Sequence, residues 1–220
     1  MLKTIAQGLS LFFHPLLMLT YMLLLLLLAN PYLFGVNSIG KQTPLILLVF
    51  LSTFIIPAFA VVMMKFLGLV KSIHLHDRTE RIGPYIITAI FYLWILVNFW
   101  HDSRIPIAYT SCVLGATIAL FLAFFINNFS KISAHAVGLG GLLAMIVITM
   151  TLFSYNSFTI PFGQNALLEV RMSTVFLIAI LTTGLVSSAR LVLEAHDLQD
   201  IYGGLIIGFM SQFVALRILF

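Results

Sequence analysis

Five ionisable residues, Arg190, Glu194, His196, Asp197 and Asp200, interrupt two strongly apolar stretches of the chain. His196 and Asp200 stand four apart, so on a helix beginning there they share a face, and the carboxylate can accept a hydrogen bond from one imidazole nitrogen. Such a pairing fixes the tautomer and leaves the other nitrogen as an oriented nucleophile. A second histidine, His135, suits protonation of a leaving oxygen, because imidazole titrates close to neutral pH and general acid help contributes about 10²–10⁴-fold. Lys71, Arg78, Arg81 and Arg190 supply cations, and Ser133 with nearby backbone N–H groups supplies neutral donors. Phosphoryl transfer needs that kind of charge neutralisation around its equatorial oxygens, and arginine's planar fork suits it. The set fits a phosphate better than a carbonyl.

Each group also has a plainer reading. The run from Lys71 to Arg81 can be an interfacial loop, Ser133 an N-cap, and the residues around Arg190 a set of structural ion pairs. His135, His196 and Asp200 are conceivable metal ligands, but the surrounding Lys and Arg residues repel a divalent cation and no H-E-x-x-H pattern occurs, so neither a metal nor another cofactor is expected. His74 and His76 read as interfacial bystanders, His14 as a packed polar residue of a helix, and the single cysteine, Cys112, as a packing residue with no disulfide partner.

The elements that must position these residues are membrane helices. The chain of 220 residues is 61% hydrophobic and 8% charged, against roughly 45–50% apolar and about 25% charged in soluble domains. Apolar length and polar punctuation place spans near 10–34, 44–70, 84–100, 106–128, 134–153, 173–190 and 201–219. The shortest, 84–100, either crosses or is re-entrant, which gives an all-α bundle of six or seven spans in a single domain over 1–220. Ser154 to Gln164 reads as a polar connection. Glycines 138, 140, 141, 204 and 208 favour close packing between helices of the same chain.

Parity provides a test that needs no known family. Two candidate spans separate Lys71–Arg81 from Ser133–His135, and two more separate those from Arg190–Asp200. An even number of crossings returns the chain to the same side, so all three groups meet at one membrane face if 84–100 crosses; if it does not, Lys71–Arg81 is stranded unless the hairpin is wholly re-entrant.

The three groups resemble the signature of the type-2 phosphatidic acid phosphatase superfamily, which runs K-x6-R-P, then P-S-G-H, then S-R-x5-H-x3-D. Arg190, His196 and Asp200 keep the third spacing, with Ala189 in place of the serine and Gly203-Gly204 following. Ser133-Ala134-His135 matches the second, with Ile132 where proline is usual and Ala134 where glycine is usual. Lys71 and Arg78 have the first spacing but are followed by Thr79, while Arg81 has Pro84 three residues on. The resemblance covers about 71–208. It implies a helical core with a phosphohistidine on His196, Asp200 orienting it, and His135 as general acid. Lys71, Arg78 or Arg81, and Arg190 would hold the phosphate, without a metal.

The substrate expected at such a membrane-edge site is a lipid phosphate or lipid pyrophosphate whose tail stays among membrane lipids. Nucleic acid is not expected, since no basic cluster is present, and oligomeric state is left open. Trp94, Trp100 and Tyr85 read as interface anchors or tail contacts. Lys41, Arg104, Arg171 and Arg217 on the far face against mainly Lys3 on the site face suggest a site facing outward from a bacterial cytoplasmic membrane. Two other classes use the same residues: an inactive phosphatase relative that binds without cleaving, and an anion or proton-coupled transporter.

Overall fold

The computed structural model describes residues 1–70, 79–162 and 166–220. Seven helical stretches among them are long and apolar enough to cross a bilayer: Leu2–Ala29, Pro31–Phe66, Thr79–Trp100, Ile107–Asn127, Ala134–Phe153, Met172–Val192 and Leu198–Leu219. The protein is therefore an all-α integral-membrane bundle. The third stretch contains the unbroken helix Ile82–Trp100, whose 19 residues reach about 28 Å at 1.5 Å per residue. Length no longer separates it from the other spans.

The first span is two helices, α1 (Leu2–Phe12) and α2 (Met18–Ala29), joined by the short turn Pro15–Leu17. Pro15 lacks an N–H and crowds the preceding turn, so the helix breaks beside it. The α1 segment is mostly exposed, with Ala6 and Ser10 on its buried face. By contrast α2 is central, with Leu23, Leu26 and Leu27 essentially inaccessible. The second span holds α3 (Thr43–Phe50) and α4 (Ile56–Phe66), separated by the π turn Leu51–Ile55. Then come α5 (Ile82–Trp100), α6 (Ile107–Asn127) and α7 (Ala134–Ile148), which continues as a π turn to Phe153. The polar connection beyond it is a β-hairpin, β1 (Ser157–Phe162) with β2 (Ala166–Arg171), paired antiparallel from Ser157 opposite Arg171. Ser157–Phe162 alternates polar with apolar over six residues, a strand-length pattern that Pro161 within it disguises as a loop signal. Two long helices, α8 (Met172–Val192) and α9 (Leu198–Leu219), complete the order.

Bonds between distant parts of the chain fix which ends share a face. Arg81, just before α5, donates to the carbonyl of Ile132, and the N–H of Ser133 donates to the carbonyl of Asp200. Lys3 pairs with Glu194 at 3.5 Å on the same face. At the other face Asn30 donates to the carbonyl of Phe153. The starts of α5, α7 and α9 and the end of α8 thus meet at one face, as parity requires. Lys65 and Lys131 are exposed toward that face too, which removes most of the basic asymmetry behind the outward orientation. Tyr85 is buried and packs against Phe124, with ring centroids 5.8 Å apart, so it is not an interface anchor. Trp94 and Trp100 keep about half their surface exposed.

Candidate active site

The chain enters the site through a turn that stops α8 just past Arg190. Ala195 N–H donates to the Arg190 carbonyl at 3.1 Å and Glu194 N–H to the Leu191 carbonyl at 2.9 Å, the paired bonds of a Schellman stop. Glu194 takes the left-handed conformation, with φ of 54°, at the position usually held by glycine. The reversal delivers His196 directly before the N-cap of α9, Asp197. His196 therefore precedes the helix instead of sharing its face as the four-residue spacing suggested. Asp200 still reaches it, because Asp197 and Asp200 form a capping box at the helix start.

Nδ1 of His196 lies 3.0 Å from Oδ2 of Asp200. Burial holds the His196 pKa down at about 4; the Asp200 hydrogen bond opposes that shift, while the Arg81 and Arg190 charges add to it. Near neutral pH the contact is a neutral imidazole donating to a carboxylate. Nδ1 carries the hydrogen, and the Nε2 lone pair is free of it.

His135 sits in the first turn of α7, behind the N-cap Ser133, whose Oγ accepts the N–H of Ala136 at 3.3 Å. Ser133 is fully buried, so its oxygen serves the helix start. Nε2 of His135 is 3.0 Å from the carbonyl oxygen of Ser10. A carbonyl only accepts, so Nε2 bears the proton and Nδ1 is the nitrogen left for chemistry.

Glycines bring His135 and His196 to one level. A Cβ at Gly204 would meet the Ser133 carbonyl at 2.8 Å; one at Gly208 would collide with the Val137 carbonyl, and one at Gly140 with that of Leu205. Contacts advance in the same direction along both chains, so α7 and α9 are parallel neighbours with their starts together. Their dipoles add positive potential at one spot.

Arg190 completes the group from the last turn of α8. Its Nη1 donates to Ser10 Oγ at 3.3 Å, and its buried Nε has no partner among the described residues. Arg81 donates to the carbonyl of Ile132 at 3.3 Å, which sets it beside the start of α7.

Of the residues named from sequence, the structure brings together His196, Asp200, His135, Ser133, Arg190 and Arg81. Lys71 and Arg78, with His74 and His76, lie outside the described residues. Sequence reasoning missed Ser10, which holds both His135 and Arg190, and set aside His14, whose ring stands 5.6 Å from that of His135. The signal was available: an ionisable residue within an apolar span is a functional candidate by default. Among the described residues no three His, Cys, Asp or Glu side chains converge as a metal ligand set would. A separate cleft of about 460 Å³, lined by Asn156, Glu169 and Arg171 at the hairpin, is on the opposite face. The chain matches no family model, no curated protein and no solved structure.

Proposed function

We propose that the protein is an integral-membrane lipid phosphatase that cleaves a phosphomonoester or pyrophosphate of a lipid through a phosphohistidine on His196. The supporting observation is the His196 Nδ1 contact to Asp200 at 3.0 Å, set under the influence of the Arg81 and Arg190 charges. Nucleophile, orienting carboxylate and two cations then have the roles that phosphoryl transfer asks of them.

In the first step the Nε2 lone pair of His196 forms a bond to phosphorus as the bond from phosphorus to the leaving oxygen breaks. That oxygen takes a proton relayed through Nδ1 of His135 from an acidic oxygen of the bound phosphate. Asp200 stabilises the positive charge that develops on the His196 ring, while Arg81 and Arg190 balance the phosphoryl oxygens. In the second step water attacks phosphorus and gives its proton to His135, and the phosphorus–nitrogen bond breaks to release inorganic phosphate. His196 ends as it began.

A site at one membrane face lets the lipid tail remain in the leaflet while its phosphate meets the cations. Either orientation of the chain satisfies that requirement. The decisive assay is inorganic phosphate released from phosphatidate, other lipid monophosphates and polyprenyl pyrophosphates, by wild type beside His196→Ala, with a chelator present. Release by wild type and none by folded His196→Ala is expected. No release from any substrate by folded wild type would overturn the reading in favour of binding or transport.

A further inference from the structure

The bend in the first span places another donor beside the site. His14 caps the turn Pro15–Leu17, its Nδ1 accepting the N–H of Leu16 at 3.3 Å. A nitrogen that accepts a hydrogen bond carries no proton, so the neutral ring keeps its hydrogen on Nε2. Among the described residues that N–H meets no acceptor. The ring stands edge-on to His135, with centroids 5.6 Å apart, and edge-on to Phe54 at 5.8 Å. Phe54 belongs to the π turn Leu51–Ile55, an element that occurs frequently at functional sites.

Arg190 bounds the same space. It is tied to Ser10 Oγ through Nη1, while among the described residues its buried Nε meets no acceptor. A buried guanidinium N–H without an acceptor is costly, and an arriving anion relieves that cost. Two unused donors, one on His14 and one on Arg190, thus accompany His135.

We infer that His14 is a phosphate-binding residue of this site, its Nε2–H donating to a non-bridging phosphate oxygen beside Arg190. The inference rests on the phosphatase reading and adds a residue from outside the three sequence groups. The competing role is a turn cap packed on Phe54. Asparagine separates the two, because its side-chain oxygen still caps Leu16 but places no N–H where Nε2 stands.

Wild type, His14→Asn and His14→Ala are compared in detergent for phosphate release from phosphatidate and for inhibition by inorganic phosphate. Loss of a hydrogen bond to a charged oxygen predicts KM and the phosphate inhibition constant of His14→Asn raised about 10–100-fold, with kcat changed less. A His14→Asn enzyme with wild-type KM and wild-type phosphate inhibition overturns the inference, since a cap alone is rescued by asparagine. A second measurement needs no variant: saturating inorganic phosphate should move the His14 Nε2–H resonance of ring-labelled wild type, and an unmoved resonance also overturns it. If wild type binds inorganic phosphate with these effects yet releases none from any lipid, the phosphatase reading fails and the anion site stands. If phosphate is neither released nor bound, both fail.

Discussion

Oδ2 of Asp200 takes the Nδ1–H of His196 at 3.0 Å and also the backbone N–H of Asp197 at 3.3 Å. One carboxylate oxygen closes the first turn of α9 and holds the tautomer of the proposed nucleophile, using two lone pairs. Helix start and reactive group therefore share an atom, and their losses can be separated by substitution.

Asp200→Asn retains an oxygen for the Asp197 N–H but removes the charge that stabilises a developing imidazolium. Phosphate release should fall about 10²–10⁴-fold with little change in thermal stability. Asp200→Ala should lose the rate and a further roughly 0.5–2 kcal/mol of stability with the cap. Initial rates and detergent melting curves check both; a fully active asparagine variant would remove Asp200 from the mechanism.

The pH dependence follows from His196, whose pKa is held at about 4 against an ordinary 6.5, chiefly by burial. A depressed folded value means that the unfolded chain binds the proton more readily. The stability from this group is complete above pH 6.5 and is lost as pH falls through 4. The His196 ring stays unprotonated across the neutral range, so the acid limb in kcat/KM expected of the proposed nucleophile lies well under 6.5. Removing the Arg81 charge with Arg81→Gln should raise the His196 value, read by ring-labelled NMR titration. An unchanged midpoint would show that Arg81 does not act on this ring.

Glycines at the interface of α7 and α9 should divide sharply. Gly208→Ala drives a methyl into the Val137 carbonyl and should cost about 1–3 kcal/mol, with loss of activity as the helix starts separate. Among the described residues nothing lies within 4 Å of a Cβ at Gly203, so Gly203→Ala should be neutral or stabilising by roughly 0.5–1 kcal/mol. Melting points of the two variants decide it, and equal effects would contradict the packing.

Glu194→Gly should stabilise. The left-handed backbone there costs a side-chain-bearing residue about 1–2 kcal/mol, whereas the exposed pair with Lys3 that would be lost is weak. A gain of roughly 1 kcal/mol in reversible unfolding is expected, and a lower melting point would mean that the Lys3 contact matters more than the strain.

Much of this was legible from residue type and spacing. Hydropathy placed the spans, and counting crossings placed Arg81, Ser133, His135, Arg190 and His196 at one face. The four-residue spacing of His196 and Asp200 identified the pair but misplaced the helix boundary, because a capping box lets a residue before the helix reach its third position. Ser10 was invisible: its carbonyl is a backbone group common to every residue, and only the fold brings it to His135. His14 was set aside because a lone polar residue in an apolar run is often packing, and its neighbours come from distant spans. The pairing of Ser157–Phe162 with Ala166–Arg171 was hidden because Pro161 breaks the alternating run and reads as a turn.

The bonds of Ser10 to His135 and Arg190 bridge separations of 125 and 180 residues. During biogenesis the first span therefore enters the bilayer long before its partners exist. At about 5–20 residues per second, roughly 9–36 s pass before Arg190 is synthesised. Through that interval Ser10 depends on water, lipid headgroups or the insertion machinery in place of His135 and Arg190. The contacts that join Ser10 to His135 and Arg190 therefore form late, after most of the intervening spans have been made.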